Sequence, residues 1–381
     1  MQQLTEHYLD NSATTPVDPE VARYCLELMT AEYGNPSSLH RKGYRAELLL
    51  EQARRQVAQV LGCPEERIVF TGSGTEANNL ALLGAARARR RSPGRIVANA
   101  AEHSSVLGAL RHLQEEGWEV VLVNPLPDGC PDIAGLAAAV DEHTLLVSCM
   151  AVNSETGSIA DITALGRAVR LRNPGVLLHC DAVQGFARLP LRPESMGIDL
   201  LTLSGHKINA PKGVGALYIR KGVRLLPLYY GGGQEQGLRP GTQSLPLIGG
   251  LGLAVETIWQ QRESLLAHYE ALRSHLLVKL ESLQGVCSNS PANGAPYIMN
   301  VSLPGYRSET VIHFLEEQGV YLSSGSACSK GAKSHVLTSM GLPDVRIDSA
   351  LRISFGRQNT TADIDALTDG LAQAMARLAR R

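Results

Sequence analysis

A carboxylate and a lysine each follow an apolar run that is predicted to form a β-strand. Asp181 ends the apolar run in LLHCDAVQGF. Lys207 follows the next apolar run, in LLTLSGHK, together with Ser204 and His206. Ligands of open parallel sheets bind beyond the carboxyl ends of the strands, where loops and helix N-termini converge. We therefore expect these polar side chains to face one cleft.

The stretch FTGSGTEANNLALLGA predicts a phosphate site facing the same cleft. Its strand and Gly-Ser-Gly turn lead into a helix from Thr75, whose N–H groups and positive dipole end favour an anion. Pyridoxal phosphate requires a lysine for an imine, an anion that keeps the pyridinium protonated, and a phosphate cradle. Each piece alone is more often a turn, a helix cap or a solvated loop, so only the combination indicates this cofactor.

The elements that must position these residues alternate between strand and helix in the middle of the chain, and the pattern changes after about residue 250. This alternation predicts a mainly parallel sheet with helices on both faces. A helical stretch without proline, from Ile248 to Leu283, is expected to join two domains. The residues beyond it predict an α+β unit that ends in a helix over TADIDALTDGLAQAMARLAR.

The composition argues against polyanions and membranes as partners. The chain has 36 Lys and Arg residues against 37 Asp and Glu residues, so no strong field would attract nucleic acid or a membrane surface. The N-terminal stretch has no basic segment followed by an apolar one, and no later apolar run is long enough to span a bilayer. We therefore expect a cytoplasmic protein.

The cysteines and histidines do not predict a metal site. The seven cysteines include no Cys-x-x-Cys pair, so neither a disulfide framework nor a zinc site is expected, and most should be reduced and buried. His103, His179 and His206 are predicted near strand ends, but no His-Glu-x-x-His spacing accompanies them. His179 is most simply a core residue.

Ten stretches, in order along nearly the whole chain, resemble the cysteine desulfurases, which belong to the class V, fold-type I group of pyridoxal-phosphate enzymes. They are YLDNSATTPV, YGNPSSLHRKG, FTGSGTEANNLAL, AEHSSVL, VNSETG, CDAVQG, SGHKINAPKGVGALYIRKG, GGGQEQGLRPGT, SSGSACSKG and LRISFGR. The resemblance implies an α/β fold with a large cofactor-binding domain, residues 15–255, built on a mainly parallel seven-stranded sheet. Residues 1–14 and 256–381 would form a smaller α+β domain that carries the catalytic cysteine loop.

The resemblance also implies a role for each residue around the cofactor ring. Lys207 would bond covalently to pyridoxal 5'-phosphate and, once displaced by substrate, move the α-proton. Asp181 would pair with the pyridine nitrogen, and Gln184 would hydrogen-bond the ring hydroxyl. His103 would stack on the ring face and is a candidate for assisting proton transfer.

The cofactor phosphate would be held by residues from more than one chain. Thr75 at the helix N-terminus would bind it together with Ser204 and His206. Thr242, in GLRPGT, would reach the phosphate of the neighbouring subunit. The resemblance therefore implies a homodimer.

The same resemblance implies L-cysteine as substrate and Cys328 as the nucleophile. Arg352 would grip the substrate carboxylate, helped by Asn35, because a guanidinium suits a planar carboxylate. Cys328 lies in a run of small residues, with Lys330, Lys333 and His335 nearby to favour the thiolate. Its thiolate would take the substrate sulfur, releasing alanine and leaving a persulfide on Cys328. That sulfur would supply iron–sulfur cluster assembly, thio-cofactors or tRNA thiolation.

Two positions and one segment depart from the family pattern, the smallest change being Ser12 in DNSATTP, where alanine is usual. Ser154 stands in VNSETG where the family commonly has asparagine, and serine is shorter and lacks the amide. The segment after Cys328 is a few residues shorter than in the best-known members. A shorter loop would carry the persulfide less far, so we expect the acceptor to be a protein that comes close to the site or a small thiol.

Other functions are also compatible with the sequence. The same fold would suit a selenocysteine lyase, a cysteine sulfinate desulfinase or an aminotransferase. Cys328 is the discriminator, since a leaving group that departs unaided needs no nucleophile. A pseudoenzyme that serves as a binding scaffold would be marked by loss of Lys207, Asp181 or Cys328, and all three are present.

Overall fold

The computed structural model describes residues 5–89, 93–324 and 333–380. The strands are β1 (His7–Tyr8), β2 (Ile68–Thr71), β3 (Arg95–Asn99), β4 (Glu119–Val123), β5 (Thr144–Ser148), β6 (Leu177–Asp181), β7 (Leu200–Ser204), β8 (Gly215–Ile219), β9 (Cys287–Ser288), β10 (Ile298–Ser302), β11 (Val320–Tyr321) and β12 (Ala350–Ser354). The α-helices are α1 (Pro19–Thr30), α2 (Arg41–Leu61), α3 (Gly74–Ala88), α4 (Ser104–Glu115), α5 (Ile133–Ala138), α6 (Ile162–Arg172), α7 (Pro193–Met196), α8 (Leu245–Gln260), α9 (Arg262–Glu281), α10 (Ser308–Glu316), α11 (His335–Ser339), α12 (Asp344–Ile347) and α13 (Thr361–Arg377).

A seven-stranded sheet forms the centre of the larger part of the protein. Its strand order is β2-β8-β7-β6-β5-β3-β4, and only β8 runs antiparallel to its neighbours. Alternate residues point to opposite faces, so Val97 packs in one apolar core and Ile96 in another. Because helices cover both faces, the central strands β6 and β7 are almost entirely buried. The predicted α/β fold with a mainly parallel sheet is confirmed.

The predicted single helix from Ile248 to Leu283 is two helices. Gln261 lies between α8 and α9 with φ −92° and ψ 0°, whereas a regular helix has ψ near about −42°. The apolar face of α8 packs in the core of the large sheet, while Tyr269 and Leu272 of α9 pack in a separate core. The break therefore turns the chain from one core to the other without a proline.

The second core lies against a smaller sheet. Its strands follow the order β12-β10-β9 and pair antiparallel, and α9, α10 and α13 contribute apolar residues to the core. β1, from the N-terminal stretch, pairs parallel with β11. The domain boundaries near residues 14 and 255 stay a prediction. No helix in the described part of the chain is long and apolar enough to cross a membrane.

Candidate active site

A cavity of about 770 Å³ lies beyond the carboxyl ends of β3, β5, β6 and β7. Most of the residues predicted for the site line it, and they come from segments far apart in the sequence: Thr75, His103, Asp181, Gln184, Ser204, His206, Lys207 and Arg352. Convergence at this edge is the arrangement expected of an open parallel sheet.

Asp181 presents a buried carboxylate at the end of β6. Its Oδ1 accepts a hydrogen bond from the Val183 backbone N–H at 3.0 Å, and its Oδ2 accepts one from Asn78 Nδ2 at 2.7 Å. The sequence reasoning missed Asn78. A signal was present, since Asn78 lies three residues after Thr75 and so shares its helix face.

Lys207 lies in a single turn of 3₁₀-helix that follows β7. Its Nζ donates to the backbone carbonyl of Ala13 at 2.7 Å and also to that of Ser12. Burial, and next the charge of Arg352, lowers the pKa of Lys207 to about 7. A substantial fraction of this amine is therefore neutral and nucleophilic near neutral pH.

Gln184 offers an unused acceptor to the cavity. Its Nε2 donates to the Ser12 carbonyl at 3.0 Å, while its buried Oε1 has no hydrogen-bond partner within the described ranges. A buried polar atom without a partner is costly, and a hydroxyl donor in the cavity would remove that cost. This atom fits the ring hydroxyl of pyridoxal phosphate.

The start of α3 forms one wall of the cavity and suits a phosphate. The Ser73 hydroxyl caps the Glu76 N–H at 3.1 Å, which leaves the N–H groups of Gly74 and Thr75 for a ligand. An added Cβ at Gly74 would lie 2.9 Å from Val183 Cγ2, so only glycine fits. Ser204 lines the same wall.

Two histidines in the cavity are held neutral. Burial, followed by the charge of Lys207, lowers the pKa of His206 to about 4. Burial also lowers the pKa of His103, although the nearby Asp181 carboxylate acts in the opposite direction. His103 precedes α4, and its Nδ1 accepts from the Ser105 N–H at 3.1 Å, so the ring proton belongs on Nε2. Neutral rings suit stacking and hydrogen bonding to a phosphate.

Arg352 lies in β12 with only 3% of its surface exposed. Its Nη2 forms an ion pair with Asp10 Oδ1 at 2.8 Å, and its Nη1 donates to the Ser154 carbonyl at 3.2 Å. Asp10 was also missed, although it lies in the quoted stretch YLDNSATTPV. The ion pair holds the guanidinium in the cavity wall, where a ligand carboxylate could approach it.

Two of the remaining predicted residues, Lys333 and His335, also line the cavity. Asn35 and Thr242 are exposed and outside the cavity, and Asn35 Oδ1 accepts from the Ser37 N–H at 2.9 Å. Cys328 and Lys330 lie outside the described residues. Lys333 forms an ion pair with Asp344 at 2.8 Å.

His179, which the sequence predicts as a core residue, is fully buried. It contacts the hydroxyls of Ser148 at 2.9 Å and Thr202 at 3.2 Å. The ring is thus hydrogen-bonded to the two neighbouring strands and does not line the cavity.

Comparison with known proteins gives one consistent family. The sequence pattern of the class-V aminotransferase family matches residues 7–367. Cysteine desulfurase IscS of Klebsiella pneumoniae is 39% identical over 97% of this chain and 93% of its own length. The solved structure of a NifS-like protein superposes with a TM-score of 0.93 at 36% identity, covering 98% of this chain and 100% of that one.

A third similar structure is that of SspA in complex with cysteine. It is 34% identical, with a TM-score of 0.81, and the match covers 92% of this chain and 99% of that one. The family uses pyridoxal phosphate, for which the lysine, carboxylate, unused glutamine oxygen and helix N-terminus described above are suited. The chain therefore belongs to the class-V aminotransferases and, among them, to the cysteine desulfurases.

Proposed function

We propose that this cysteine desulfurase transfers the sulfur of L-cysteine to Cys328, with Lys207 moving the proton and Arg352 holding the substrate carboxylate. The observation that carries the proposal is the convergence of the Lys207 amine, the Asp181 carboxylate and the Arg352 guanidinium on one cavity. The similarity to SspA, solved with cysteine, supports cysteine as the ligand.

The described residues suggest how substrate and cofactor are held. Thr75, Ser204 and His206 would bind the phosphate, and Gln184 Oε1 would accept from the ring hydroxyl. Asp181 would balance the positive charge of the ring nitrogen, and Asn78 fixes the orientation of the Asp181 carboxylate. Bound pyridoxal phosphate supplies a ring that accepts the electron pair left when the α-proton is removed.

Lys207 transfers the proton, and Cys328 takes the sulfur. The neutral amine of Lys207 accepts the α-proton of the bound cysteine and returns a proton to the substrate. The Cys328 thiolate attacks the substrate sulfur, so that a sulfur–sulfur bond forms and the bond from sulfur to the substrate β-carbon breaks. The electron pair of that bond goes to the carbon skeleton, which takes up protons and leaves as alanine.

The assembly, acceptor and compartment are proposed with the activity. Tyr33, two residues before Asn35, and Tyr230, in the stretch that leads to Thr242, are both exposed large side chains, which suits burial in a homodimer. An acceptor protein or small thiol would then remove the persulfide sulfur for clusters, thio-cofactors or tRNA. Location in the cytoplasm stays a prediction that cell fractionation would check.

We expect the purified protein to convert L-cysteine to alanine and reducible sulfur in a ratio of about one to one. The stoichiometry follows from the transfer of one sulfur atom for each carbon skeleton released. Alanine is measured by amino-acid analysis and sulfur as sulfide after addition of a reducing thiol, while the visible spectrum reports the cofactor. Pyruvate and ammonia in place of alanine would contradict the proposal.

Asp181→Asn should retain the cofactor but form alanine on the order of 100-fold more slowly. Asparagine has the same shape and can still meet Asn78, but it carries no charge to keep the ring nitrogen protonated, and hydrogen bonds to charged groups are the stronger ones. The measurement is kcat together with the absorbance of bound cofactor. Asp132→Asn, at the start of α5 and away from the cavity, is the control. Equal turnover by both variants would remove the role given to Asp181.

A further inference from the structure

A tight turn at residues 153–156 connects several parts of the active site. The Asn153 Oδ1 accepts from the backbone N–H groups of Glu155 and Thr156, each at 2.9 Å. The Asn153 Nδ2 donates to the Ala101 carbonyl at 3.1 Å, next to the start of α4. The Ser154 carbonyl accepts from Arg352. The turn is therefore fixed both to the cavity wall and to the arginine proposed to hold the substrate.

The same turn holds the chain where it returns from residues 325–332, the stretch that includes Cys328. The Ser334 hydroxyl donates to Glu155 Oε2 and accepts from the Leu337 N–H at 3.1 Å, which caps α11. The neighbouring His335 contacts the Glu102 carbonyl through Nε2 at 2.9 Å. Ser334 is thus tied both to its own helix and to the turn.

Ser323, which precedes residues 325–332, is hydrogen-bonded to Arg352. The backbone N–H of Arg352 donates to the Ser323 carbonyl at 2.6 Å, and the Ser323 N–H donates back at 3.4 Å. Ser323 and Ser334 therefore both meet the unit formed by Arg352 and the turn at residues 153–156. The positions of Ser323 and Ser334, which flank residues 325–332, are therefore set relative to the Arg352 guanidinium that faces the cavity.

Burying the Glu155 carboxyl costs free energy, and the hydrogen bond with Ser334 compensates for it. Its side chain is 4% exposed, and burial raises the pKa of its carboxyl, whereas the Ser334 hydrogen bond, His335 and Arg352 lower it. A buried carboxyl is expensive unless it is hydrogen-bonded. The hydrogen bond that Ser334 donates to Glu155 offsets this cost and ties the carboxyl to the start of α11.

We propose that Glu155 is a positioning residue for sulfur transfer. Through its hydrogen bond with Ser334, it fixes the position of the chain that follows Cys328 relative to Arg352. The inference rests on the proposed role of Cys328. A displacement of about 1 Å between nucleophile and substrate costs on the order of 100-fold in rate. The contact should accordingly affect the attack on the substrate sulfur and leave the earlier removal of the α-proton unaffected.

The test separates these two steps in a single turnover of the holoenzyme. The first absorbance change of the bound cofactor after mixing with L-cysteine reports substrate binding and proton removal, and the release of alanine reports the sulfur step. Glu155→Leu removes the acceptor and Ser334→Ala the donor. Glu155→Gln and Ser334→Thr restore a hydrogen bond. Ser339→Ala removes another hydroxyl of α11, which donates to Val336.

We expect Glu155→Leu and Ser334→Ala each to slow alanine release about tenfold or more, with the first absorbance change within about twofold of wild type. The two restoring variants and Ser339→Ala should stay near wild type. The double variant should be no slower than the slower single variant, because both remove the same contact. An equal slowing of both steps, or additive effects, would overturn the inference.

Failure of the proposed function would look different in this experiment. If the Cys328→Ala variant released alanine as fast as the wild-type protein, the sulfur step would not use that thiol, and the proposal for Glu155 would fall with it. If alanine release depended on Cys328 but not on Glu155 or Ser334, only the positioning role would be rejected.

Discussion

Lys207→Ala should lower alanine formation by at least about 10³-fold, because proton transfer by a positioned side chain contributes about 10²–10⁴-fold and the covalent link to the cofactor is lost as well. The cofactor should still bind, since Thr75, Ser204 and Asp181 are unchanged. Borohydride reduction followed by mass spectrometry measures the covalent link: the wild-type chain should gain the mass of one cofactor, less the water lost on imine formation and plus the two hydrogens added on reduction, and the variant should not.

Lys207→Arg is the matched control for charge. A guanidinium can still donate to the carbonyls of Ser12 and Ala13, but it stays protonated and cannot act as a nucleophile or base. It should therefore be as inactive as the alanine variant. Appreciable turnover by either variant would mean that another group, with His103 the nearest candidate, removes the proton.

The same amine gives the loading reaction a predictable dependence on pH. The pKa of Lys207 is lowered from 10.5 to about 7, so the amine is mostly protonated below pH 7 and mostly neutral above it. Only the neutral form attacks an aldehyde. The rate of covalent loading of the apoenzyme, followed by absorbance, should therefore rise with pH to about 8 and then level off. A rate still rising steeply above pH 9 would indicate an ordinary lysine.

The sequence predicted the sheet and most of the cavity because both depend on local patterns. Short apolar strands that alternate with helices indicate a parallel sheet, and the carboxyl ends of such strands meet at one edge. Asp181, Ser204 and Lys207 could thus be placed together without coordinates. The whole-chain resemblance added Arg352, which no local pattern marks as a ligand residue.

What the sequence did not reveal depends on contacts between distant segments. The Ser12 carbonyl accepts from both Lys207 and Gln184, and a backbone oxygen has no signature in the residue type. Asp10 meets Arg352 across more than three hundred positions of sequence. The helix breaks at Gln261 because α8 packs in one core and α9 packs in the other. Helical periodicity does not show that two cores are present.

The cysteines other than Cys328 have features that argue against a role as the nucleophile. Burial raises the pKa of Cys63 to about 12 and of Cys130 to about 11, and it also raises the pKa of Cys25, Cys149 and Cys180. A thiol needs to be a thiolate to attack sulfur, so these five are poorly suited near neutral pH. Cys287 is half-buried in β9 and does not line the cavity.

Cys328→Ala should therefore abolish alanine release, by at least about 10³-fold, while the absorbance change on adding L-cysteine persists. The substrate still meets Lys207 and Arg352, so its α-proton can leave, but no thiolate is present to take the sulfur. Cys287→Ala is the control and should match wild type. Tandem mass spectrometry of wild-type protein after one turnover should find the extra sulfur on the peptide that contains Cys328. Full activity of Cys328→Ala would place the chain with enzymes whose leaving group departs unaided, such as selenocysteine lyases, and would keep the fold and the cofactor.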